Sequence, residues 1–394
     1  MKLRILQVYR IFPALFGGIS TVVHSITREL CKRKHDVTIY TTDVYLNGKS
    51  INGYSWGAVQ PKVYYFPSLL RTSLGSNVTV CGFKFVHSVK KMIRSFNVIH
   101  LHGYRTFQNI IVHHYAKRNN VPYVFQAHGT LPRVMPWRRL KWFYDIVFGY
   151  RLLRGASKVI ALSEAEADQY RSMGVPEEKI AIIPNGIDLS KYAELPPKGA
   201  FKKKFNIAED KKIILYLGRI HKTKGIDFLV RAYAYLKNET NVKDAILVIA
   251  GPDDRYLSKI KSLVQDLGIS NSVLFTGLLS EKDKIRAYVD SDVVVNVEPL
   301  NVYGLVPLEA AACSTPVIVS KTNAISEVVA AGKFGYSVKY DNVTSLAFTL
   351  RKILDDEELA EKLGRNGRTY IFNNFDWSKI IERYEHIYRE AAIS

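Results

Sequence analysis

Two cations near the middle of the chain are spaced to bind a diphosphate. Arg219 and Lys224 follow the apolar run Ile213–Leu217, and Gly225 stands just before the amphipathic stretch Asp227–Leu236. If the run is a strand and the stretch is a helix, both cations lie at the carboxyl end of the strand, beside the positive end of the helix. There they could jointly neutralise a diphosphate. The alternative for either side chain is ordinary solvated charge.

The segment that ends at Glu309 indicates a second contact with a ligand. The apolar run Asp292–Val297 is followed by Gly304 and Leu305, whose backbone N–H groups could reach phosphate oxygens, and Pro307 suits the first turn of a helix. Glu309 lies one turn inside that otherwise apolar helix, and an unpaired carboxylate is costly to bury. We therefore expect Glu309 to face a ligand and to accept hydrogen bonds from its hydroxyl groups.

A pair of glycines precedes the first helical stretch. Gly17 and Gly18 stand between the apolar run Arg4–Tyr9 and the amphipathic stretch Thr21–Cys31. Glycines at a helix N-terminus let backbone N–H groups approach an anion closely. The spacing is not GxGxxG, so the dinucleotide fingerprint is absent. A tight strand-to-helix turn and a ligand-binding loop both fit this pattern.

Histidines are frequent between residues 100 and 128. His100 and His102 alternate within the run Val98–His102, which points both rings to one face of a strand. That arrangement is compatible with a metal site, but no carboxylate or Cys partner is evident, and we predict no metal. His128 follows the next apolar run, Tyr123–Ala127, and is the histidine to which we assign a function below.

These candidates lie within two series of alternating apolar runs and amphipathic stretches. The alternation is typical of βα units around a parallel sheet, so we predict an α/β fold of two doubly wound Rossmann-like domains facing across a cleft. The predicted domains are 1–190, 191–375 and a terminal helix, 376–394, that packs back on the first domain. The predicted strands are Arg4–Tyr9, Val37–Thr41, Val63–Phe66, Val98–His102, Tyr123–Ala127, Lys158–Leu162, Ile213–Leu217, Ala245–Ala250, Ser272–Thr276, Asp292–Val297 and Pro316–Val319.

An ordered set of motifs resembles the retaining glycosyltransferases of family four, also called glycosyl transferases group 1, which have the GT-B fold. The resemblance extends over nearly the whole chain. Its motifs are Gly17-Gly18, His128-Gly129, Pro184-Asn185-Gly186-Ile187-Asp188, Gly218-Arg219 with Lys224-Gly225, Phe275-Thr276-Gly277, and Gly304-Leu305 followed by Glu309.

The resemblance implies a nucleotide-diphosphate sugar, a UDP-sugar or GDP-sugar, as the donor substrate and no separate cofactor. Arg219 and Lys224 would bind its diphosphate, and Glu309 would bind the ribose, in the domain 191–375. His128 would lie beside the sugar near the reacting carbon. Transfer with retention and without a metal is implied, because protein cations and helix ends neutralise the leaving group.

The same resemblance assigns the strongly basic domain 1–190 to the acceptor, with Gly17 and Gly18 contacting a phosphate or the acceptor. One departure concerns Asn301, which stands where family members usually have a glutamate, eight positions before Glu309. An amide can bind sugar hydroxyls but carries no charge. Glu298 is near in sequence at a different offset. We expect a site around Asn301 to be fitted to a particular donor.

The charge of the chain is uneven. Of the net charge of +20, residues 1–150 carry +17, with 21 Lys and Arg against four Asp and Glu. The stretch Pro136–Arg154 mixes bulky aromatics with cations, which suits either a core helix or an anionic membrane interface. Three separated cysteines and the absence of a long apolar run predict a cytoplasmic protein, and the alternative is a peripheral protein at the inner face of the membrane.

The leading hypothesis is a glycosyltransferase acting on a sugar, lipid-linked or phosphorylated acceptor at the cytoplasmic membrane face. A GT-B-like nucleotide-sugar epimerase is the alternative. A remote alternative is a non-catalytic nucleic-acid-binding protein, suggested only by the basic charge. No recognition helix, RNA-binding signature or basic tail supports that reading, so we predict no nucleic-acid partner.

Overall fold

The chain folds into two compact units. Unit 1 comprises Met1–Gly186 with Trp377–Ser394, and unit 2 comprises Ile187–Asp376. The chain thus passes into unit 2 four residues before the sequence-based boundary at 190, and the backbone N–H of Ile187 donates to the carbonyl of Phe375 within unit 2 at 2.8 Å. The computed structural model describes residues 1–11, 18–43, 60–68, 81–133, 137–239, 244–299 and 303–393.

Unit 1 is built on a parallel sheet whose central strands are largely buried, because other elements cover both faces, while the edge strands are only partly buried. Its strands are β1 (Arg4–Ile11), β2 (Asp36–Thr42), β3 (Lys62–Phe66), β4 (Val98–His102), β5 (Tyr123–Gln126), β6 (Lys158–Ala161) and β7 (Ile180–Ile182). Among the described residues the order across the sheet is β3-β2-β1-β4-β5-β6-β7, and every pair of neighbours is parallel.

Unit 2 repeats this topology. Its strands are β8 (Lys212–Leu217), β9 (Ala245–Ala250), β10 (Val273–Gly277), β11 (Val293–Asn296), β12 (Val317–Ser320) and β13 (Gly335–Val338). In the described part of the unit their order is β10-β9-β8-β11-β12-β13. The strand order reverses beside the first strand of each unit, between β1 and β4 and between β8 and β11. Ligands of doubly wound sheets bind at the carboxyl ends of the strands at this point.

The predicted α/β fold of two Rossmann-like domains is confirmed, and each of the eleven predicted strands lies within two residues of its expected ends. Two strands were not predicted. β7 is apolar but has only three residues, too few to indicate a strand, and β13 begins with glycine and contains serine, so it lacks the apolar pattern of a strand. Pairing with β6 and β12 gives them their strand conformation.

Helices connect the strands, and several begin at side chains that cap them. Ser163, Ser280 and Asp356 each accept the backbone N–H of the residue three positions later. The helices are α1 (Gly18–Lys32), α2 (Phe83–Met92), α3 (Phe107–Arg118), α4 (Arg138–Tyr144), α5 (Tyr150–Arg154), α6 (Glu164–Ser172), α7 (Ala200–Lys204), α8 (Ile226–Glu239), α9 (Leu257–Asp266), α10 (Glu281–Asp290), α11 (Val306–Ala312), α12 (Ser326–Gly332), α13 (Val343–Asp355), α14 (Glu357–Asn374) and α15 (Trp377–Ile393).

The last helix, α15, belongs to unit 1 although it follows unit 2 in the chain. Ile381, Tyr384 and Tyr388 are fully buried on it and pack in one apolar cluster with Leu3 and Ile5 at the start of β1. Burying a large apolar side chain contributes roughly 1.5–3 kcal/mol. Several such side chains therefore hold α15 on the sheet. None of the helices in the described ranges combines the length and apolarity needed to cross a membrane.

Candidate active site

His128 lies in a tight turn that follows β5. Its backbone φ is +56° and that of Gly129 is +76°, so the chain adopts two left-handed residues in succession. Glu166 holds this turn, because its carboxylate accepts the backbone N–H of Gly129 at 2.6 Å and that of Leu162 at 2.7 Å. The turns after β5 and β6 are thereby joined, and the His128 side chain is buried between them and the sheet.

A chain of hydrogen bonds extends from His128 across the sheet to the terminal helix. Nε2 of His128 lies 2.9 Å from Nδ1 of His102, and Nε2 of His102 lies 2.5 Å from Oε1 of Gln7. The Gln7 amide donates to the hydroxyl of Tyr388 on α15 at 3.4 Å, and that hydroxyl lies 2.6 Å from Nδ1 of His100. Side chains from β1, β4, α15 and the β5 turn therefore form one buried polar network.

The imidazoles of this network are neutral at physiological pH. Burial lowers the pKa of His128 to about 3, and burial together with the neighbouring imidazoles lowers the pKa of His102 well below its usual value. Burial acts in the other direction on the acid and raises the pKa of Glu166 to about 6, although two backbone N–H groups favour its charged form. Nδ1 of His128 is buried and has no hydrogen-bond partner among the described residues.

His100 and His102 do share one face of β4, with ring centroids 3.8 Å apart. Their nitrogens bond to Tyr388, Gln7 and His128 rather than to a carboxylate or a thiolate. Within the ranges that the structure describes, no group of three or more His, Cys, Asp or Glu side chains is arranged to hold a metal ion.

In unit 2, Lys224 lies in the turn between β8 and α8 and is held by a carboxylate. Its Nζ lies 2.7 Å from both oxygens of Glu298, which follows β11, and only 19% of the lysine side chain is exposed. Gly225 lets the turn approach β11 this closely, since its φ is +67° and a Cβ there would stand 2.2 Å from the carbonyl oxygen of Val297. The two adjacent strands at the point of reversal thus present an ion pair.

Arg219 is placed differently from Lys224. It pairs through Nη1 with Asp254 in the turn after β9, and 59% of its side chain is exposed. The backbone around it is fixed, because its carbonyl accepts the Tyr216 hydroxyl at 2.9 Å. Both predicted cations therefore stand at the carboxyl end of β8, one largely buried and one largely exposed.

Glu309 lies in the first turn of α11 and has protein partners for both carboxylate oxygens. The Tyr288 hydroxyl donates to Oε2 at 2.7 Å, and Nζ of Lys284 lies 3.2 Å from Oε1. Burial acts to lower the pKa of Lys284, but Glu309 and Glu281 raise it above its ordinary value. Glu309 is thus a paired carboxylate, and a ligand hydroxyl would share oxygens that already accept from Tyr288 and Lys284.

The glycine and loop residues of the prediction are only partly described. Gly18 is the first residue of α1 and is exposed, and Gly304 and Leu305 directly precede α11. Gly17 and Asn301 lie outside the described residues. The structure brings Lys224 together with Glu298, and His128 together with His102, while each cation of the predicted pair has its own carboxylate.

Several members of these networks were not predicted from the sequence. They are Gln7, Glu166, Asp254, Lys284, Tyr288 and Tyr388. Glu166 carried a signal that could have found it, since it is an acid three residues after the N-capping Ser163 at a strand end. Tyr388 carried none, because it reads as one apolar position on an amphipathic helix.

Two Rossmann-like domains of this strand order and size are the architecture of GT-B glycosyltransferases. Sucrose-phosphate synthase from Thermosynechococcus elongatus has the same fold, with a TM-score of 0.80, 22% identity and 99% of each chain covered. Anabaena HepE in complex with UDP and glucose has a TM-score of 0.77 at 18% identity, with 98% of each chain covered.

Sequence comparisons point to the same family. Residues 16–191 match Glycosyltransferase Family 4, and residues 197–370 match Glycosyl transferases group 1. An uncharacterized glycosyltransferase from Methanocaldococcus jannaschii is 26% identical over 96% of this chain and 96% of its own length. The chain belongs to the group 1, family 4 glycosyltransferases, and its activity is glycosyl transfer.

Proposed function

We propose that this glycosyltransferase moves a sugar from a nucleotide-diphosphate sugar to an acceptor with retention at the anomeric carbon. The observation that carries the proposal is the Lys224 ammonium, largely buried at the carboxyl end of β8 and held by both oxygens of Glu298. A cation fixed at a strand end beside a helix start is suited to an anionic leaving group. Arg219 adds an exposed second cation that exchanges Asp254 for phosphate oxygens.

The other residues of unit 2 fit the remainder of the donor. Gly304 and Leu305 offer backbone N–H groups before α11, and Glu309 accepts hydrogen bonds from the ribose while Lys284 and Tyr288 fix its orientation. Asn301 belongs to the same segment and binds the donor sugar through its amide. UDP-sugars are the first donors to test and GDP-sugars the second. The reason is that the structure of the similarly folded HepE contains UDP and glucose.

In unit 1, His128 contributes a neutral imidazole to the reacting sugar. Its unpartnered Nδ1 is suited to accept a hydrogen bond from a hydroxyl group, and the low pKa keeps it uncharged through the physiological range. Gly18 begins α1, whose N-terminal amides favour a phosphate or a polar acceptor group. The acceptor is therefore assigned to unit 1.

The proposal requires no metal, because Arg219, Lys224 and the helix ends compensate the charge of the departing diphosphate. Initial rates measured with EDTA and with added magnesium or manganese should agree. Loss of transfer in EDTA that either ion restores would contradict metal independence.

Product analysis tests the reaction itself. Purified protein is incubated with a panel of UDP- and GDP-sugars, with and without candidate acceptors, and the anomeric configuration of the product is read from proton NMR couplings. We expect an acceptor-dependent product with the configuration of the donor. An inverted product would contradict retention, and a new nucleotide sugar formed without an acceptor would identify an epimerase instead.

We further propose that unit 1 docks on an anionic membrane at its cytoplasmic face, where a lipid-linked or phosphorylated acceptor is available. The relevant surface is the aromatic-basic segment, Trp137–Phe148. Buried Asp145 anchors it through Arg105 and Arg133, at 2.9 and 2.7 Å. The exposed apolar side chains of the segment are Trp137, Leu140, Trp142, Phe143, Ile146 and Phe148.

Exposed aromatics beside cations suit an interface of anionic lipids, and the exposed Arg138 and Arg139 lie on the same short helix. The core-helix reading of this stretch holds only for its last part, where Leu152 and Leu153 are buried. Each exposed aromatic that enters the membrane contributes up to about 1.5–3 kcal/mol. The apolar side chains and the cations together therefore favour anionic membranes over neutral ones.

Vesicle sedimentation tests this docking. The wild-type protein should bind vesicles of phosphatidylglycerol and phosphatidylcholine and should bind pure phosphatidylcholine weakly. The variant Trp142→Ser/Phe143→Ser should bind at least tenfold more weakly. Phe348→Ser, which alters a similarly exposed aromatic in unit 2, is the matched control and should bind like wild type. Equal binding by all three proteins would contradict the docking surface.

A further inference from the structure

The buried network beneath His128 gives α15 a role in the reaction. We propose that Tyr388, Gln7 and His102 act as positioning residues that fix the tautomer of His128, so that its Nδ1 is a hydrogen-bond acceptor for a substrate hydroxyl. The relevance of this tautomer to transfer rests on the proposed function. Its existence rests only on the hydrogen bonds of unit 1.

The tautomers follow from the donors and acceptors in order. The Gln7 amide nitrogen donates to the Tyr388 hydroxyl at 3.4 Å, which turns the amide oxygen toward His102. A carbonyl oxygen only accepts, so Nε2 of His102 carries the hydrogen across the 2.5 Å contact. A neutral imidazole has one N–H, and Nδ1 of His102 is therefore an acceptor.

The contact between His102 and His128 then determines which nitrogen of His128 carries the hydrogen. Because Nδ1 of His102 accepts, Nε2 of His128 must carry the hydrogen across the 2.9 Å contact. Nδ1 of His128 is then left with a lone pair and no hydrogen. That atom is buried and lacks a partner among the described residues, which is unfavourable unless a ligand donates to it.

The same reasoning assigns the hydrogen of the Tyr388 hydroxyl, at the α15 end of the network. Since it accepts from Gln7, its own hydrogen is directed to Nδ1 of His100 at 2.6 Å. Tyr388, which lies 381 positions after Gln7 in the chain, therefore fixes the orientation of the Gln7 amide. The terminal helix acts on His128 through two intervening side chains and touches no substrate itself.

Removing the acceptor of Gln7 should abolish the preference for one order of these hydrogen bonds. In Gln7→Met the side chain keeps a similar length, but its thioether sulfur is only a weak acceptor for His102. Either order of the His102–His128 bond then leaves one N–H and one lone pair of the two rings unpaired, so His128 should become a mixture of tautomers. Tyr388→Phe removes only the hydroxyl and releases the Gln7 amide to turn, which should give a mixture of tautomers.

The test is the nitrogen NMR spectrum of histidine-labelled protein, which distinguishes a protonated Nε2 from a protonated Nδ1. We expect His128 to carry the hydrogen on Nε2 in wild type and to be a mixture of both tautomers in Gln7→Met and in Tyr388→Phe. The control is Tyr384→Phe, which removes the hydroxyl bonded to Gln126 at 3.2 Å, one turn earlier on the same helix. Its spectrum should match wild type.

Kinetics with the best donor give the second readout. Transfer should fall in Gln7→Met and in Tyr388→Phe in proportion to the loss of the Nε2-protonated form of His128, and it should stay unchanged in Tyr384→Phe. The positioning role is wrong if wild-type His128 carries its hydrogen on Nδ1, or if neither Gln7→Met nor Tyr388→Phe changes the spectrum. The spectra decide this even if no nucleotide sugar is a donor, so the failure of the relay and that of the proposed function are distinguishable.

Discussion

The two units share a strand order, but the side chains at the ends of their strands differ in charge. In unit 1 the strand ends carry neutral imidazoles joined by hydrogen bonds, as in the pair His102 and His128. In unit 2 they carry compensated charges, as in the pair Lys224 and Glu298. One topology therefore supplies two kinds of site, and the side chains at the strand ends determine which kind forms.

The net charges of the units do not follow the chemistry of their sites. Unit 1 has 29 Lys and Arg against 12 Asp and Glu, a net charge of +17, whereas unit 2 has 27 against 24. Yet the buried histidine network of unit 1 is uncharged, whereas the predicted donor site with its ion pairs lies in the nearly neutral unit 2. The excess charge of unit 1 therefore acts at longer range, by attracting anionic partners to its surface.

The largest effect should come from separating the buried pair in unit 2. Lys224→Met leaves the Glu298 carboxylate buried without its cation, which should cost about 3–5 kcal/mol in the free energy of unfolding. The double variant Lys224→Met/Glu298→Gln should recover most of that stability but not transfer. Denaturation followed by far-ultraviolet circular dichroism and initial rates measure the two quantities.

This pair of variants separates two roles of the lysine. If the double variant regained transfer as well as stability, Lys224 would serve the fold alone and the contrast with unit 1 would lose its functional meaning. If Lys224→Met were as stable as wild type, the pair would be solvated rather than buried.

The next effect concerns the pH dependence of stability in unit 1. Below about pH 6.5 the unfolded chain protonates its histidines, while folded His128 stays neutral down to about pH 3. The unfolded state then binds more protons, so stability is lost as the pH falls, by about 1.4 kcal/mol per pH unit for such a histidine. His128→Asn should reduce this slope by about that amount, and Asn tolerates the positive φ.

Tryptophan fluorescence reports on this unit selectively, because all four tryptophans of the sequence belong to it. Urea midpoints between pH 4.5 and 6 should show the difference in slope. Glu166 has the opposite effect on stability. Its pKa is raised to about 6 in the folded state, so its ionisation as the pH rises destabilises the fold. This contribution is the same in wild type and in His128→Asn and does not affect the difference between them. Equal slopes would show that His128 is not a buried neutral imidazole.

The smallest effect on stability should come from Arg219. Its pair with Asp254 is exposed, so Arg219→Ala should change the free energy of unfolding by less than about 1 kcal/mol. The variant should nevertheless raise the KM for the nucleotide sugar about tenfold, since a charge-assisted bond contributes roughly 1.5–3 kcal/mol. Asp254→Ala is the control that removes the same pair while keeping the cation. A large loss of stability in either would remove the distinction from Lys224.

The sequence by itself determined the framework and the positions of the principal candidates. Apolar runs such as Val98–His102 and Ala245–Ala250 coincide with β4 and β9, because a buried strand needs a continuous apolar segment that is visible locally. Arg219 and Lys224 were found because they lie between such a run and the start of a helix, and His128, which directly follows a run, was assigned its role through the family motif His128-Gly129. The position of a residue relative to a strand end is a local property, so it can be predicted from the sequence.

The partners of those residues were decided by the tertiary structure. Lys224 meets Glu298 across 74 residues, and Gln7 meets Tyr388 across 381. No local pattern distinguishes these partners, since Tyr388 occupies an ordinary apolar position of α15 and Glu298 lies one position off the end of a buried run. Hydrogen bonds act over about 3 Å, so only the folding that brings β1, β4 and α15 together determines whether His128 is charged, neutral or fixed in one tautomer.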